Sequence, residues 1–291
     1  MFEARNSGNS RARQYSTGFW DRFRHQKSAM AGLMFIGMLV LCSIFSGLFT
    51  KYDPNQQGDL ITSRHLPPSL EHPFGTDKFA RDVFSRVLHG GHISLIIAFS
   101  VVILSMTIGV IYGTISGYFG GVIDLVMMRF LDFLLAFPSI FLVITIVAVF
   151  HASHWYLIPV LSLTGWMETA RIVRAEVFSL KERDFILAAK GLGYSHSRIL
   201  FYHIIPNCLT PVIVAATLKV GEVILVESAL SFLGIGVQPP TPSWGNIIND
   251  GREALLRAWW VSTFPGIFIV LVVISFNLIG DALRECLNPG D

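Results

Sequence analysis

The sequence predicts an all-α membrane protein with six transmembrane helices. Three observations carry that expectation. Apolar residues make up 52% of the 291 residues and charged ones only 14%, against roughly 25% charged in soluble domains. The mean hydropathy is +0.57. The apolar residues also gather in runs of bilayer length, parted by polar, turn-rich stretches, and a helix needs about 20 apolar residues to cross a ~30 Å hydrocarbon layer. A soluble domain with an unusually oily core is the competing class. The net charge of +2 draws in no nucleic acid. Cys42, Cys208 and Cys286 are scattered and odd in number, which fits neither a disulfide framework nor a metal site.

Residues 1–27 are polar and carry Arg5, Arg11, Arg13, Arg22, Arg24 and Lys27. No cleavable signal peptide is expected, since no small-residue cleavage pattern follows the first apolar run. That run, SAMAGLMFIGMLVLCSIFSGLFT at 28–50, has no charge and reaches about 34 Å as a helix. It is the first span. Residues 51–92 form a long polar loop expected to fold back on the protein surface. The second span is 93–117, whose Ser, Thr and Gly residues allow close helix contact. YFGG at 118–121 makes a tight turn.

The third span runs from about Ile123 to Phe150, with Asp124, Arg129 and Asp132 in its first third. A charge near mid-bilayer costs about 2.5–3.5 kcal/mol on insertion scales, so these three are expected to snorkel or pair. Arg129 and Asp132 are three apart and share a face. Pro138 predicts a kink. The fourth span, 155–178, turns charged at Glu168, Arg171, Arg174 and Glu176, which places the bilayer exit near Met167. The fifth runs from Leu209 to Leu230, with Thr210 as a cap candidate and Pro211 in its first turn. Glu222 and Glu227 lie inside it, about 140° apart around the helix, so they do not make one carboxylate pair. The sixth is 261–280, its start softened by Pro265 and Gly266.

Six spans put both ends on one side, and the basic amino terminus makes that side the cytoplasm under the positive-inside rule. Arg171, Arg174, Lys181, Arg183, Lys190 and Arg198 fall on the same side. In the outer 51–92 loop, Lys51, Arg64, Lys78, Arg81 and Arg86 are balanced by Asp53, Asp59, Glu71, Asp77 and Asp82. The outer 234–260 loop has only Arg252 and Arg257; its QPPTPSWG suits a rigid turn, and its tryptophans, with Trp259 and Trp260, fit an interface belt.

The segment KERDFILAAKGLGYSHSRILFYHIIP, 181–206, sits between spans four and five. Ser179 and Glu182 have capping-box spacing. Phe185, Ala188, Ala189 and Leu192 recur at 0, 3, 4 and 7 and line one helical face, and Gly193 fits the helix end. A second short helix is expected from Ser195 or Ser197 to Ile205, stopped by Pro206. The alanines let a partner approach the backbone closely. The residues alone leave open whether this helix plugs a groove in another protein or lies along lipid headgroups. GLGYSH lacks the third glycine of a dinucleotide loop, and no strand precedes it. There is no G-x-x-x-x-G-K-S/T either, so ATP-driven transport needs its nucleotide site on another polypeptide.

These residues resemble the inner-membrane permease subunits of bacterial ABC importers, the C-type partner in the dipeptide, oligopeptide and nickel group. The family's cytoplasmic loop reads Glu-Ala-Ala, three residues, Gly, nine residues, Ile, one residue, Leu-Pro. Here Leu187 stands at the glutamate position, followed by Ala188 and Ala189. Gly193 and Pro206 match, while His203 and Ile205 replace Ile and Leu. HPFGTDKFARDVFSRVLHGGHISL (72–95) resembles the family's loop before span two, with Ala80 where glycine is usual. GYFGGVIDLVMMRFLDFLLAFPSIFL (117–142), ESALSFLGIGVQPPTPSWGNII (227–248) and FPGIFIVLVVISFNLIGDALRECLNP (264–289) are also family-like.

The resemblance implies a type I importer permease (MetI-like) fold with a cytoplasmic coupling helix. It divides the chain into a cytoplasmic segment 1–27, a first helix and outer loop 28–92, a five-helix permease core 93–285 with coupling loop 179–206, and a cytoplasmic tail 286–291. It implies a multi-pass protein of the bacterial inner membrane that imports dipeptides or oligopeptides. Its partners would be a B-type permease, two cytoplasmic ATPases that bind ATP and Mg2+, an outer solute-binding protein and membrane lipid. No cofactor belongs to this chain. Phe185, Ala188, Ala189, Leu192, Gly193 and Pro206 would couple it to the ATPases. Asp124, Arg129, Asp132, Glu222 and Glu227 either line the path or pair as structural charges. Asp77, Arg81, Asp82 and Trp244 are candidate contacts for the binding protein. Nickel or a metal chelate is the alternative cargo. The rival classes are an ion-coupled secondary transporter, which would show inverted repeats, an intramembrane enzyme and a purely structural subunit. No H-E-x-x-H is present, and His92, His151, His154, His196 and His203 form no obvious ligand set.

Overall fold

Apolar runs with small residues at every fourth position make long helices that pack backbone to backbone, and such helices dominate the computed structural model. It describes residues 19–150 and 154–287. Among them are α1 (Phe19–His25), α2 (Lys27–Ile44), α3 (Ser46–Phe49), α4 (Val83–Phe119), α5 (Gly121–Leu135) and α6 (Ser139–Phe150). Then follow α7 (His154–Leu180), α8 (Asp184–Gly191), α9 (His196–Ile199), α10 (Ile205–Phe232), α11 (Trp244–Gly251) and α12 (Trp260–Leu287). The one β feature among the described residues is an isolated bridge, Thr76 to Asp82. His151 lies outside the described residues.

The centre of the bundle is the pair α4 and α7, which run the same way. Gly109, Gly113 and Gly117 of α4 face Thr169, Ala170 and Val177 of α7. A Cβ on Gly113 would come within 2.4 Å of the Ala170 carbonyl, and one on Gly109 within 2.6 Å of Thr169 Cβ. On one flank α10 packs against both, and α12 packs on α10 and α2.

Several boundaries differ from expectation. The second span begins ten residues early, at Val83, because Asp82 caps α4 by accepting the Ser85 N–H at 2.7 Å. The third span is broken: α5 and α6 meet at 72° across 136–138. Pro138 lacks an N–H and disfavours helical geometry at Phe137, so the kink becomes a full break. Pro206 does not stop a helix. A π turn at Leu200–Ile204 joins α9 to α10, and Pro206 falls in the first turn of α10, where its missing N–H is no loss. Thr210 is therefore interior to α10 and caps nothing. By length and composition α2, α4, the run His196–Phe232 and α12 can cross a membrane, and α5 with α6 makes a fifth span if the bent pair counts as one. The helix α7, expected as a span, is not among them; Glu168, Arg171, Arg174 and Glu176 dilute its apolar content.

Residues 51–82 fold back over one end of the bundle and join α11 in a cap, as the loop composition predicts. The 234–260 segment holds α11, opened by a Ser243–Asn246 capping box. Two of its tryptophans are interior rather than belt residues. Trp244 is buried with its Nε1–H on the Val87 carbonyl at 3.0 Å, and Trp260 is buried with its Nε1–H on the Thr76 carbonyl at 3.2 Å. Trp259 remains half exposed.

The α4–α7 seam leaves no room for a side chain at Gly113. Gly113→Leu is expected to destabilise the protein by about 1–3 kcal/mol or more, read as a lowered melting temperature in detergent. Gly37→Leu on α2, where a Cβ meets nothing within 4 Å, should leave it unchanged.

Candidate functional site

Chemistry-bearing residues collect in three places: the α8 end of the bundle, the α5–α6 break and the cap.

At the α8 end, Ser179 does not cap α8, because it lies in the last turn of α7. The N-cap is Arg183, with no side-chain bond. Ile186 and Ala189 are buried against the bundle, whereas Phe185, Ala188 and Leu192 are exposed, Leu192 at 73%. The expected single face is thus divided, with Ala189 turned inward. Gly193 ends the helix at φ +77, with its N–H on the Lys190 carbonyl and the Tyr194 N–H on the Ala189 carbonyl. Leu187, at the family's glutamate position, is also exposed and offers no charge. The segment is tied down by the Lys181 ammonium on the Gly117 carbonyl at 3.2 Å and by Tyr118 Oη against His196 Nδ1 at 2.8 Å. Pro206 is exposed beside it.

Above α8, arginines of α7 meet aspartates of α5. Arg174 binds Asp124 with two nitrogens, Nη2 to Oδ2 at 2.6 Å, and Ser116 donates to the same carboxylate at 2.5 Å. Arg171 reaches Asp132 at 2.5 Å. Asp132 therefore pairs across helices rather than with Arg129, which is exposed. Glu227 is fully buried and accepts from Ser94 at 2.9 Å and Ser231 at 2.7 Å, joining α10 to α4.

At the α5–α6 break, a cavity of about 250 Å³ opens between Leu135, Pro138, Ser139 and Val143 on one side and α7 and α10 on the other. Glu168, Lys219 and Glu222 line it. Lys219 lies 3.1 Å from Glu168 and 2.9 Å from Glu222. Sequence reasoning singled out Glu222 and missed Lys219. Its signal was available: a lone lysine midway along an apolar run, three residues before a glutamate.

In the cap, Asp77, Arg81, Asp82 and Trp244 are all buried, which corrects their assignment as docking contacts. Their polar atoms are used within the chain. Arg81 lies 2.6 Å from Asp77 and 2.8 Å from Asp250. Arg86 stands 3.7 Å from Asp77 and 3.6 Å from Asp250, and Lys78 is 3.2 Å from Asp250. Asp82 also takes His72 Nδ1 at 2.9 Å. Burial, together with Arg64, holds the His65 imidazole below its ordinary range. Among the described residues, no three His, Cys, Asp or Glu side chains gather as a metal-binding group.

Residues 109–290 match the family described as binding-protein-dependent transport system inner membrane component. Residues 15–68 match the N-terminal transmembrane domain of oligopeptide transport permease C. The chain is 40% identical over 296 residues to the oligopeptide transport system permease protein OppC of Bacillus subtilis, covering 99% of this chain and 96% of that one. It is 42% identical over 268 residues to the dipeptide transport system permease protein DppC of Alkalihalophilus pseudofirmus, covering 92% and 88%. It is 37% identical over 278 residues to the di/tripeptide permease DppC of Pseudomonas aeruginosa, covering 93% and 91%. In fold it is similar to a chain of the inward-facing MetNI methionine ABC transporter, with TM-score 0.52 and 16% identity, covering 69% of this chain and 95% of that one.

Asp250 is the shared partner of Lys78, Arg81 and Arg86. Asp250→Asn leaves these cations undercompensated and is expected to cost about 3–5 kcal/mol. Faster proteolysis of the 51–82 segment in detergent-solubilised protein checks this.

Proposed function

Because the chain belongs to the family of binding-protein-dependent inner-membrane transport components, of the oligopeptide and dipeptide permease C kind, we propose how it works. It is a permease subunit of an ATP-driven importer of dipeptides or oligopeptides and forms half of the translocation path. A second permease supplies the other half, two ATPases sit at the α8 end, and a solute-binding protein docks at the cap. In this reading α7 completes a set of six spans, its charged half shielded by the Asp124 and Asp132 pairs. The α8 end and both termini then face the cytoplasm, in keeping with the basic residues gathered there.

One observation carries the coupling role. A short helix buries Ile186 and Ala189 in its own bundle and offers Phe185, Ala188 and Leu192 outward. An exposed apolar face held by internal anchors suits a groove in a soluble partner. The ATPases close on ATP, push α8, and α8 passes the push to α7 and α10. With Leu187 at the usual glutamate position, this contact is apolar where the family pattern has a charge. The cargo assignment rests on the peptide permeases that the chain resembles over nearly its full length.

Two substitutions separate coupling from folding. Leu192→Asp, at an exposed site, is expected to leave membrane assembly and melting temperature unchanged. It should lower ATP-dependent peptide uptake by the reconstituted complex at least about ten-fold. Ile186→Asp places a charge in the core and should prevent assembly instead. Normal uptake by the Leu192→Asp complex would remove α8 from the coupling role.

A further inference from the structure

The cavity at the α5–α6 break bears on what the path selects, granted the importer role proposed above. Its charged lining is Glu168, Lys219 and Glu222. Lys219 lies midway along α10 and Glu168 midway along α7, so the group sits at mid-length of both helices. Two carboxylates and one ammonium leave one net negative charge there, and an uncompensated charge among apolar helices is unfavourable. The lysine side chain is only 12% exposed, tucked beneath carboxylates that are 68% and 57% exposed. A molecule entering the cavity therefore meets oxygen acceptors first. Lys219 fixes their positions from behind and cancels half of their charge. The surrounding wall, with Leu135, Pro138, Val143 and Val223, is apolar and adds no competing charge.

We propose that Glu168 and Glu222, held in place by Lys219, form a charge-selecting point in the path that receives a protonated amino group of the cargo, the amino terminus or a lysine side chain of a peptide. The incoming ammonium brings the local net charge to zero and accepts the hydrogen-bonding geometry that the two carboxylates already share through Lys219. A carboxylate arriving first meets the exposed glutamates and is repelled. Lys219 is a positioning residue; Glu168 and Glu222 make the contact.

The test uses the complete importer in liposomes, with lysine-containing and glutamate-containing peptides of equal length. Each is delivered by saturating binding protein, and the ratio of their uptake rates is read. E168Q/E222Q leaves a net positive charge and should lower the lysine-to-glutamate ratio about ten-fold, while K219Q leaves two negative charges and should raise it by a similar factor. A ratio unmoved in both variants, with uptake of the two peptides falling together, overturns the proposal and leaves a purely structural triad. Where those variants fail to assemble, the single variants E168Q and E222Q must each lower the ratio in the same direction; an unmoved ratio in both overturns the proposal equally. Absence of ATP-dependent uptake by the unaltered complex would instead sink the importer reading itself.

Discussion

The close approach of α4 and α7 is the contact on which the rest of the bundle depends. In a bilayer the lipid tails are as apolar as leucine, so helix association relies on dispersion and fit rather than on removal from water. Gly109, Gly113 and Gly117 supply the fit, letting the Thr169–Val177 face of α7 lie on the α4 backbone. This depth sets the rotation of α7. It is that rotation which turns Arg171 and Arg174 toward α5 and Glu168 toward α10. A shallower contact would move all three, and an α7 with four charges in its second half would then face lipid.

Several charges of the bundle are paired across helices, while the buried Glu227 is held by Ser94 and Ser231 instead. Asp124 with Arg174, Asp132 with Arg171, and Lys219 with Glu168 and Glu222 each join two elements that also touch through apolar side chains. Pairs as exposed as Arg171 with Asp132 add little stability, but the wrong register would leave their charges unpartnered. The cap uses the same device away from the spans. There Asp77 and Asp250 gather Lys78, Arg81 and Arg86 from one continuous segment, fixing the loop over the α4 start.

What was legible in the sequence was what a local window can hold. The apolar runs located most of the helices, Pro138 located the break, and Gly193 located the end of α8. Positions set by distant partners were not legible. The early start of α4 depends on Asp82 and on a buried arginine that composition assigned to a surface loop. The face predicted for α8 assumed a helix reaching Leu192; the helix stops at Gly191, and Ile186 joins Ala189 as its anchor. The acidic and basic residues of the 72–82 stretch look like docking residues until α11 supplies Asp250 from far along the chain. The meaning of Lys219 depends on Glu168 of another helix, which no local window contains.

A single rod joins the two proposed working parts. The helix α7 has Pro159 near its far end and no proline from there to Leu180. Glu168 therefore stands about 18 Å along an uninterrupted helix from the turn into α8. Under the proposed coupling, a displacement of α8 travels along this helix to Glu168, which meets Lys219 on α10, whose own start is tied to α8 through α9 and the π turn. The two helices that frame the cavity are thus joined through one connected segment. Any movement of α7 and α10 by unequal amounts changes the Glu168–Lys219 separation, and with it how far the ammonium screens that carboxylate.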